Sequence, residues 1–442
     1  GRRVHLAGIG GVSMSPLAEV LHGMGLAVQG SDQTDSPAVE HLRRLGVSIH
    51  VGHEAGDIEG AEFVVRTAAI HDDNPEIAAA RARGIPVFER AEAWGAIMQQ
   101  YENAVCIAGT HGKTTTTSMT THIFMAAHAD PTVMIGGTLP MLHSGYRVGK
   151  GETIILESCE YCNSFLHFFP TVAVVLNVEE DHLDFFKNLD DIKASFRKFA
   201  QLVPPEGRVV ANADNPGTMD ALRGLPLFTF GCAPEADCRA ENLTWNRGRP
   251  DFDVVVGGDL YAHLSLRVAG MHNVYNALAA AAAAYTLGIS GKAVRQGLEG
   301  FFGAGRRFEF KGQFNGAKIY DDYAHHPAEL HALLDMARTL GYERVICAFQ
   351  PHTYTRTKAL FDDFVRELKA ADLVVLTDIY AAREKNTIGV SSKELADQIP
   401  GSLYCPSLGE AADCLRELAR TGDLIITVGA GDIYTVGEAL VG

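Results

Sequence analysis

The sequence has no uncharged apolar run of about 18 residues, which is the length that a membrane-spanning helix needs. The most apolar stretch, residues 277–288, is shorter and rich in alanine, and it predicts a buried helix. A basic excess is also missing, since 38 Lys and Arg oppose 54 Asp and Glu, a net charge of −16. Because nucleic acids and anionic membranes attract clustered positive charge, this balance argues against both as partners.

Closely spaced cysteines are equally scarce. Eight cysteines are scattered along the chain, and only Cys159 and Cys162 are near each other in sequence. No second pair completes a zinc site of the usual spacing, and a chain of this length does not need disulfide bonds. We therefore expect reduced thiols and a cytoplasmic location. The first residues run directly into a predicted strand, so we expect no signal peptide.

Alternation of strand-like and helix-like segments is the strongest pattern that the sequence does contain. It predicts an α/β fold with parallel sheets flanked by helices. At roughly 150 residues per domain, the length predicts about three domains. A strand-like run opens a second unit at residue 104, and the glycine-punctuated segment 302–308 marks a further boundary. We predict domains at 1–100, 101–302 and 303–442.

A candidate phosphate loop follows the buried strand predicted at 104–108. Its residues are Gly109-Thr110-His111-Gly112-Lys113-Thr114-Thr115, and a helix-like run comes next. Backbone N–H groups at a helix N-terminus bind phosphate oxygens, a Lys neutralises them and the next hydroxyl reaches Mg²⁺. The strict motif would have a glycine at Ile107, so one of its features is missing.

Carboxylates and a histidine follow the two next strands of the second unit. Glu157 directly follows the strand predicted at 153–156, and Asp181-His182-Leu183-Asp184 follows the strand predicted at 172–177. Parallel strands place such residues at one edge of the sheet, where α/β proteins bind ligands. Hard oxygen ligands suit Mg²⁺. The sequence therefore predicts a site for a nucleotide and a metal ion at this edge.

The first unit carries a weaker glycine motif. Gly8-x-Gly10-Gly11 follows a predicted strand, and Asp32 follows the next one. A dinucleotide-binding fingerprint would have a glycine where Ser13 stands. On these residues alone, an NAD-dependent oxidoreductase stays open as an alternative.

Taken in order, these and later motifs resemble the Mur ligase family of bacterial cell-wall synthesis over essentially the whole chain. The further motifs are Gly270-x-His272-Asn273-x-x-Asn276, Arg306-Arg307-Phe308 and Asp321-Asp322-Tyr323-Ala-His325-His326-Pro327. The resemblance implies a Rossmann-like UDP-sugar domain, a central phosphate-loop ATPase-like domain and a Rossmann-like amino-acid domain. Within the family, segments 8–15, 349–357 and 378–382 resemble the members that add L-alanine to UDP-N-acetylmuramate with ATP and Mg²⁺.

The resemblance also implies roles for individual residues. The implied catalytic residues are Lys113, Glu157, His182, His325 and Arg356. The implied metal ligands are Thr114, Glu157 and His182, with Glu160 ranked second to Glu157. The implied ATP contacts are Gly109, Thr110, His111, Gly112, Lys113, Thr114, Thr115, Asn273, Asn276, Arg306, Arg307 and Asp322. The implied UDP-sugar contacts are Gly8, Gly10, Gly11, Ser13, Met14, Ser31, Asp32, Thr67, Ala68 and Ala69. The implied amino-acid contacts are His325, His352 and Arg356.

Some positions depart from the family pattern. Thr353 stands where many alanine-adding members have Arg, and Arg197 stands where several sister ligases carry a carbamylated lysine, so we expect no carbamyl-lysine. We assign no role to Arg383. Because ATP contacts are implied in both the second and third units, nucleotide should draw these units together. The oligomeric state stays open.

Three alternatives remain beside this interpretation and the oxidoreductase. A recycling ligase that attaches a preformed peptide to UDP-N-acetylmuramate would share nearly every ATP-site residue. Folylpolyglutamate synthetase is a more distant relative without the Gly8 loop. A nucleotide-dependent switch protein would not need a cluster of His325, His352 and Arg356 in its third unit.

Overall fold

The structure is a computed structural model that describes residues 2–11, 13–67, 69–183, 185–382 and 384–442. Its strands form three separate sheets, each flanked by helices. The fold is therefore α/β with three domains, as the alternation of segments predicts. The predicted boundaries near residues 100 and 302 stay a prediction. Each of them falls between the last strand of one sheet and the first strand of the next.

The first sheet contains five parallel strands. Its strands are β1 (Arg3–Ala7), β2 (Ala27–Asp32), β3 (Ser48–Val51), β4 (Phe63–Arg66) and β5 (Val87–Glu89). Its helices are α1 (Met14–Gly23), α2 (Pro37–Arg44), α3 (Pro75–Ala82) and α4 (Arg90–Met98). The order β3-β2-β1-β4-β5 reverses at β1. Such a reversal opens a crevice at the carboxyl ends of the strands, where ligands bind in doubly wound sheets.

The second sheet is mixed and contains ten strands. Its strands are β6 (Asn103–Ala108), β7 (Thr132–Leu139), β8 (Ser144–Arg147), β9 (Thr153–Glu157), β10 (Val172–Val175), β11 (Arg208–Asn212), β12 (Phe228–Gly231), β13 (Cys238–Asn246), β14 (Arg249–Val256) and β15 (Asp259–Ser265). Its helices are α5 (Lys113–Ala126), α6 (Leu189–Ala200), α7 (Pro216–Ala221), α8 (Met271–Thr286) and α9 (Gly291–Glu299). Strand β6 lies between β9 and β10 and is parallel to both.

The third sheet contains six strands. Its strands are β16 (Glu309–Phe314), β17 (Ala317–Asp322), β18 (Arg344–Phe349), β19 (Leu373–Leu376), β20 (Leu403–Tyr404) and β21 (Asp423–Val428). Its helices are α10 (Pro327–Thr339), α11 (Tyr354–Ala359), α12 (Phe361–Leu368), α13 (Ser392–Asp397), α14 (Leu408–Leu418) and α15 (Tyr434–Val441). The order is β16-β17-β21-β18-β19-β20, and only β16 is antiparallel to its neighbour.

The alanine-rich segment forms α8, whose alanines from Ala277 to Ala284 are all fully buried. Small side chains let this helix lie close to α5 on one face of the second sheet, within a single apolar cluster. Close packing fixes the N-terminus of α8, which carries Asn273 and Asn276, beside the start of α5. The core of the second sheet thus positions the residues that follow β6.

The sequence did not predict the hairpin of β7 and β8, which adds an edge to the second sheet next to β9. Two adjacent glycines, Gly136 and Gly137, interrupt the strand pattern of β7 and conceal it. All eight cysteines lie in the described ranges and are free thiols. None of the described helices combines the length and the apolar character needed to cross a bilayer.

Candidate active site

The predicted phosphate loop lies between the carboxyl end of β6 and the N-terminus of α5. Gly112 is the N-cap of α5 and has φ +83°, and Gly109 has φ +156°. A Cβ on Gly112 would lie 2.7 Å from Asn276 Oδ1, so only glycine fits against α8. The loop is held by Asn177, whose Oδ1 accepts from the His111 N–H at 2.7 Å. A helix N-terminus is therefore open towards the carboxyl edge of the sheet.

Lys113 is held by oxygen atoms on two sides. Its Nζ donates to the carbonyls of Gly109 at 2.5 Å and Thr110 at 3.2 Å. It also contacts the Glu160 carboxylate, which is 2% exposed, at 3.0 Å and 3.3 Å. Burial acts to lower the pKa of Lys113, but the charge of Glu160 outweighs it and raises the pKa above its usual value. Lys113 is thus a fixed positive charge beside the loop.

Thr114 and Glu157 offer oxygen ligands for Mg²⁺. The Thr114 hydroxyl donates to Glu157 Oε1 at 3.1 Å, and the Gly136 N–H donates to Glu157 Oε2 at 2.6 Å. A hydroxyl and a carboxylate next to a phosphate loop fit the donor chemistry of Mg²⁺. No described group of three or more His, Cys, Asp and Glu side chains is arranged as a complete metal site.

His182 lies closer to Glu160 than the sequence interpretation expected. Its Nε2 is 3.7 Å from Glu160 Oε1 and 3.8 Å from Asp181 Oδ2. Within the described chain, no ion pair within 4.0 Å joins His182 to Glu157. The geometry therefore favours Glu160, the second-ranked carboxylate, as the partner of His182. Asp184 of the same motif lies outside the described residues.

Asn273 and Asn276 form one hydrogen-bonded chain between α8 and α5. Asn276 Nδ2 donates to Asn273 Oδ1 at 3.2 Å, and the Thr116 hydroxyl donates to Asn276 Oδ1 at 3.1 Å. Asn273 Nδ2 donates to the Ala269 carbonyl at 2.7 Å. This chain fixes the orientation of both amides next to Gly112, as the implied adenine and ribose contacts require.

A cavity of about 1070 Å³ opens beside these amides, between the second and third sheets. Its lining includes His111, Gly112, Thr115 and Asn273 from the second unit. Its lining from the third unit includes Arg307, Asp322 and one face of α10. Ligand cavities for drug-sized molecules span about 300–1,000 Å³, so a nucleotide has ample room here.

The two adjacent arginines at residues 306 and 307 have different surroundings. Arg306 lies 2.9 Å from Asp321 Oδ2 and donates to the carbonyls of Gly429 and Gly431. Arg307 lines the cavity and lies over the Tyr323 ring at 5.2 Å. Arg307 is therefore the better candidate for a phosphate contact, and Arg306 ties together loops of the third unit.

Asp322 is buried at the end of β17 and faces this cavity. Its carboxylate accepts from the N–H groups of Phe308 at 2.7 Å and Ala324 at 2.8 Å. Burial raises the pKa of Asp322 to about 6, although Arg307 and the backbone donors act in the opposite direction.

The three implied amino-acid contacts lie together. The His325 and His352 rings are 6.0 Å apart, and Arg356 Nη1 is 3.3 Å from His352 Nδ1. Burial lowers the pKa of His325 and of His352 to about 4, so both rings are neutral at pH 7. His352 also stacks on Tyr380 at 5.5 Å. A single guanidinium beside two neutral imidazoles can bind one small carboxylate.

Sequence reasoning missed that Asp181 reaches this cluster from the second unit. Its Oδ1 lies 3.1 Å from Arg356 Nη2 and 3.4 Å from Arg356 Nε. Burial acts to raise the pKa of Asp181, but the positive charge of Arg356 outweighs it and holds the pKa well below its usual range. The two residues are 175 positions apart, so no local pattern could have revealed the contact.

His111 of the phosphate loop joins the same two units. Its Nδ1 lies 3.3 Å from Glu329 Oε1 on α10, and its Nε2 lies 3.4 Å from Glu179 Oε2. Next to it, His326 Nε2 contacts the Glu180 carbonyl at 3.0 Å. The segment 179–181 and the phosphate loop therefore hold the N-terminus of α10. Of these residues, the sequence singled out only His111 as a ligand contact.

The glycine loop of the first unit is separate and well ordered by hydrogen bonds. The Gly10 N–H donates to Asp32 Oδ2 at 2.8 Å, and a Cβ on Gly10 would lie 2.7 Å from Val39. Ser31 Oγ lies 3.1 Å from His53 Nδ1, a neighbour that sequence reasoning missed. Thr67 accepts from the Ala69 N–H at 3.1 Å.

The remaining implied UDP-sugar contacts surround the same loop. Gly8 has φ +77°, and the Gly11 N–H donates to the Gly8 carbonyl. Ser13 occupies the N-cap position of α1 without a side-chain capping hydrogen bond, and Met14, the first residue of the helix, is buried. Ala68 lies outside the described residues, as does Arg383.

The fold and the site together define a nucleotide-dependent enzyme of three α/β domains, in which a phosphate loop faces a cleft between two domains. Family profiles match three successive parts of the chain. They are the Mur ligase family catalytic domain over residues 3–102, the Mur ligase middle domain over 107–284 and the Mur ligase glutamate ligase domain over 306–431.

Individual relatives agree with these profiles. The chain is 47% identical to the UDP-N-acetylmuramate–L-alanine ligase of Caldanaerobacter subterraneus, over 99% of this chain and 96% of that protein. It is 45% identical to the ligase of the same name from Clostridium novyi, over 99% and 96%. The crystal structure of the Thermotoga maritima UDP-N-acetylmuramate-alanine ligase has a TM-score of 0.82 and 29% identity, and the match covers 100% of this chain and 98% of that chain.

A murein peptide ligase from Psychrobacter arcticus is a further structural neighbour. Its TM-score is 0.72 at 25% identity, with 100% of this chain and 98% of that chain covered. The chain belongs to the Mur ligase family.

The contact of His111 with two carboxylates predicts a pH dependence. Burial acts to lower the pKa of His111, but Glu179 and Glu329 raise it from 6.5 to about 9. Because the pKa is higher in the folded state, the protonated ring stabilises that state. This stabilisation is complete below pH 6.5 and is lost above about pH 9. The difference in melting temperature between the wild type and His111→Gln should therefore shrink between about pH 6.5 and pH 9.

The control for this prediction is His22→Gln, since His22 is exposed on α1. Its difference from the wild type should stay constant over the same pH range. A constant difference for His111→Gln as well would contradict the assigned contact.

Proposed function

We propose that this chain joins L-alanine to the lactyl carboxylate of UDP-N-acetylmuramate, splitting ATP to ADP and phosphate, in peptidoglycan synthesis. One observation carries the proposal. Contacts through Glu160, His182 and Asp181 connect Lys113 of the phosphate loop to Arg356 and its two neutral histidines. A site for a phosphoryl donor and a site for a small carboxylate would thus be neighbours, as amide-bond formation with ATP requires.

On the ATP side, the open N–H groups at the start of α5 bind phosphate oxygens and Lys113 neutralises their charge. Asn273 and Asn276 contact the adenine and ribose, Asp322 reaches the ribose and Arg307 lies near the phosphates. Lys113 exchanges its contact with Glu160 for one with phosphate. Because Glu160 keeps the ammonium in place beforehand, little reorganisation is needed when ATP binds.

Thr114 and Glu157 would hold a Mg²⁺ ion at the phosphates, and Glu160 with His182 would complete a second position. Bound Mg²⁺ supplies positive charge that neutralises the phosphate oxygens. The fit rests on the Thr114 hydroxyl and the Glu157 carboxylate, whose nearest oxygens lie 3.1 Å apart beside the loop.

The chemistry divides into two steps. A carboxylate is a poor acylating group at pH 7, so the γ-phosphoryl group is first transferred to the lactyl carboxylate, which gives an acyl phosphate and ADP. The amine of L-alanine then attacks the carbonyl carbon, and phosphate leaves. The protein contributes mainly by positioning the reactants and neutralising charge.

Two further sites bind the acceptor and the amino acid. Arg356 holds the alanine carboxylate through its planar fork, with His325 and His352 beside it. The glycine loop of the first unit, ordered by Asp32 and Ser31, takes the UDP part of the sugar nucleotide. Its N–H groups follow a strand and precede α1, the arrangement that binds diphosphates in other α/β folds.

Phosphate release from ATP with Mg²⁺ and UDP-N-acetylmuramate tests the proposal. We expect release that requires both the sugar nucleotide and L-alanine. Lys113→Ala should lower this turnover about a thousandfold, because the charge on the phosphates is then unbalanced, while UDP-sugar binding should remain. Release with a tripeptide but not with alanine would instead identify a recycling ligase. Release under neither condition would contradict the proposal.

Substitution of Arg356 tests the amino-acid site. Arg356→Ala should raise the KM for L-alanine about a hundredfold, since one partner of a buried charge pair is lost, and should change the KM for ATP far less. The matched control is Arg366→Ala, an exposed arginine on α12 that pairs with Asp363. Equal changes in both KM values for Arg356→Ala would remove this residue from the amino-acid site.

A further inference from the structure

Three arginines line the end of the nucleotide cavity that lies away from the phosphate loop. They are Arg247 and Arg249 at the tip of the β13–β14 hairpin, and Arg267 just after β15. All three are exposed to solvent. None of the carboxylates that the structure describes lies within 4.0 Å of any of them. In a chain with a net charge of −16, three arginines without a described carboxylate partner concentrate positive charge at one cavity.

The carboxylates of the same cavity are already engaged elsewhere. Glu179 and Glu329 contact His111 at the N-terminal end of α10. Asp322 accepts from two backbone N–H groups, and Glu309 accepts from the Arg306 N–H. None of these four carboxylates neutralises the three arginines, so the far end of the cavity stays positive.

Arg247 occupies a backbone position that normally favours another residue. Arg247 and Gly248 form the two-residue turn between β13 and β14, with φ +49° and φ +73°. A turn with both central residues at positive φ prefers Asn followed by Gly, because most side chains disfavour this conformation. A long arginine side chain here works against the stability of the hairpin, which indicates that the charge serves another purpose.

The positions of Arg249 and Arg267 are also unfavourable for the stability of the sheet. Strands β14 and β15 are antiparallel, with Asp251 paired to Ser265. Continued by two residues beyond the end of β15, this register would bring Arg249 opposite Arg267. Like charges opposite each other in an antiparallel pair are destabilising unless an anion lies between them.

We propose that Arg247, Arg249 and Arg267 form a capture rim that attracts the phosphate groups of incoming ATP before they reach the phosphate loop. This inference rests on ATP as the substrate of the cavity. The cavity follows one face of α10 from Ala328 to Leu340. At a rise of about 1.5 Å per residue, these ends lie about 18 Å apart. Attraction between the arginines and the ATP phosphates over such a distance affects the association rate more than the stability of the bound complex.

The experiment measures the association rate of the fluorescent ATP analogue 2-aminopurine riboside triphosphate by stopped flow. The full chain is used with Mg²⁺, without UDP-sugar or alanine, so that a failure of the ligation proposal would not affect it. At low salt, Arg247→Asn/Arg249→Gln/Arg267→Gln should lower the association rate constant about tenfold. The difference should disappear at high salt.

The matched control removes three exposed cations that do not line the cavity, in Arg2→Gln/Lys198→Gln/Lys369→Gln. It should leave the association rate nearly unchanged. The single variant Arg247→Asn should raise the melting temperature while slowing association, a combination that a purely structural role would not produce.

Three results would overturn the proposal. The first is an unchanged association rate in the rim variant. The second is an equal loss in the control variant, which would make net charge the cause. The third is the absence of any binding of the analogue to the wild type.

Discussion

Buried positive charges at the border of the second and third domains determine how the site is built. Lys113, His111 and Arg356 each contact a carboxylate there, namely Glu160, Glu329 and Asp181. The burial of a charge without a partner costs several kcal/mol of folding free energy, so each cation requires a carboxylate partner. Two of these pairs, at His111 and Arg356, join one domain to the other. The residues that are proposed to bind the substrates therefore also fix the position of one domain relative to the other.

These pairs also explain how the site can be ready before the substrates arrive. In the proposed function, two of these carboxylates hold the place of a substrate anion, Glu160 that of a phosphate at Lys113 and Asp181 that of a carboxylate at Arg356. Binding then exchanges one anion for another at a cation that is already fixed. The neutral rings of His325 and His352 add no competing charge.

The sequence was informative where chemistry lies at the ends of neighbouring parallel strands. The order of β9, β6 and β10 brings Glu157, the loop and His182 to one edge, as the motif positions predicted. The sequence was less informative where the side chains of adjacent residues have different surroundings. Arg306 binds Asp321 whereas Arg307 faces the cavity, and no pattern distinguishes them. It could not reveal contacts between domains, such as Asp181 with Arg356, because these depend on how separate sheets pack.

These contacts between carboxylates and cations hold the third domain against the second. Small-angle scattering of the unliganded chain tests this role most directly, with the wild type compared with Asp181→Asn/Glu329→Gln. The control is Asp363→Asn/Asp413→Asn, which removes two ion pairs within the third domain. We expect a larger radius of gyration for the first variant only. The same radius in all three proteins would contradict this expectation.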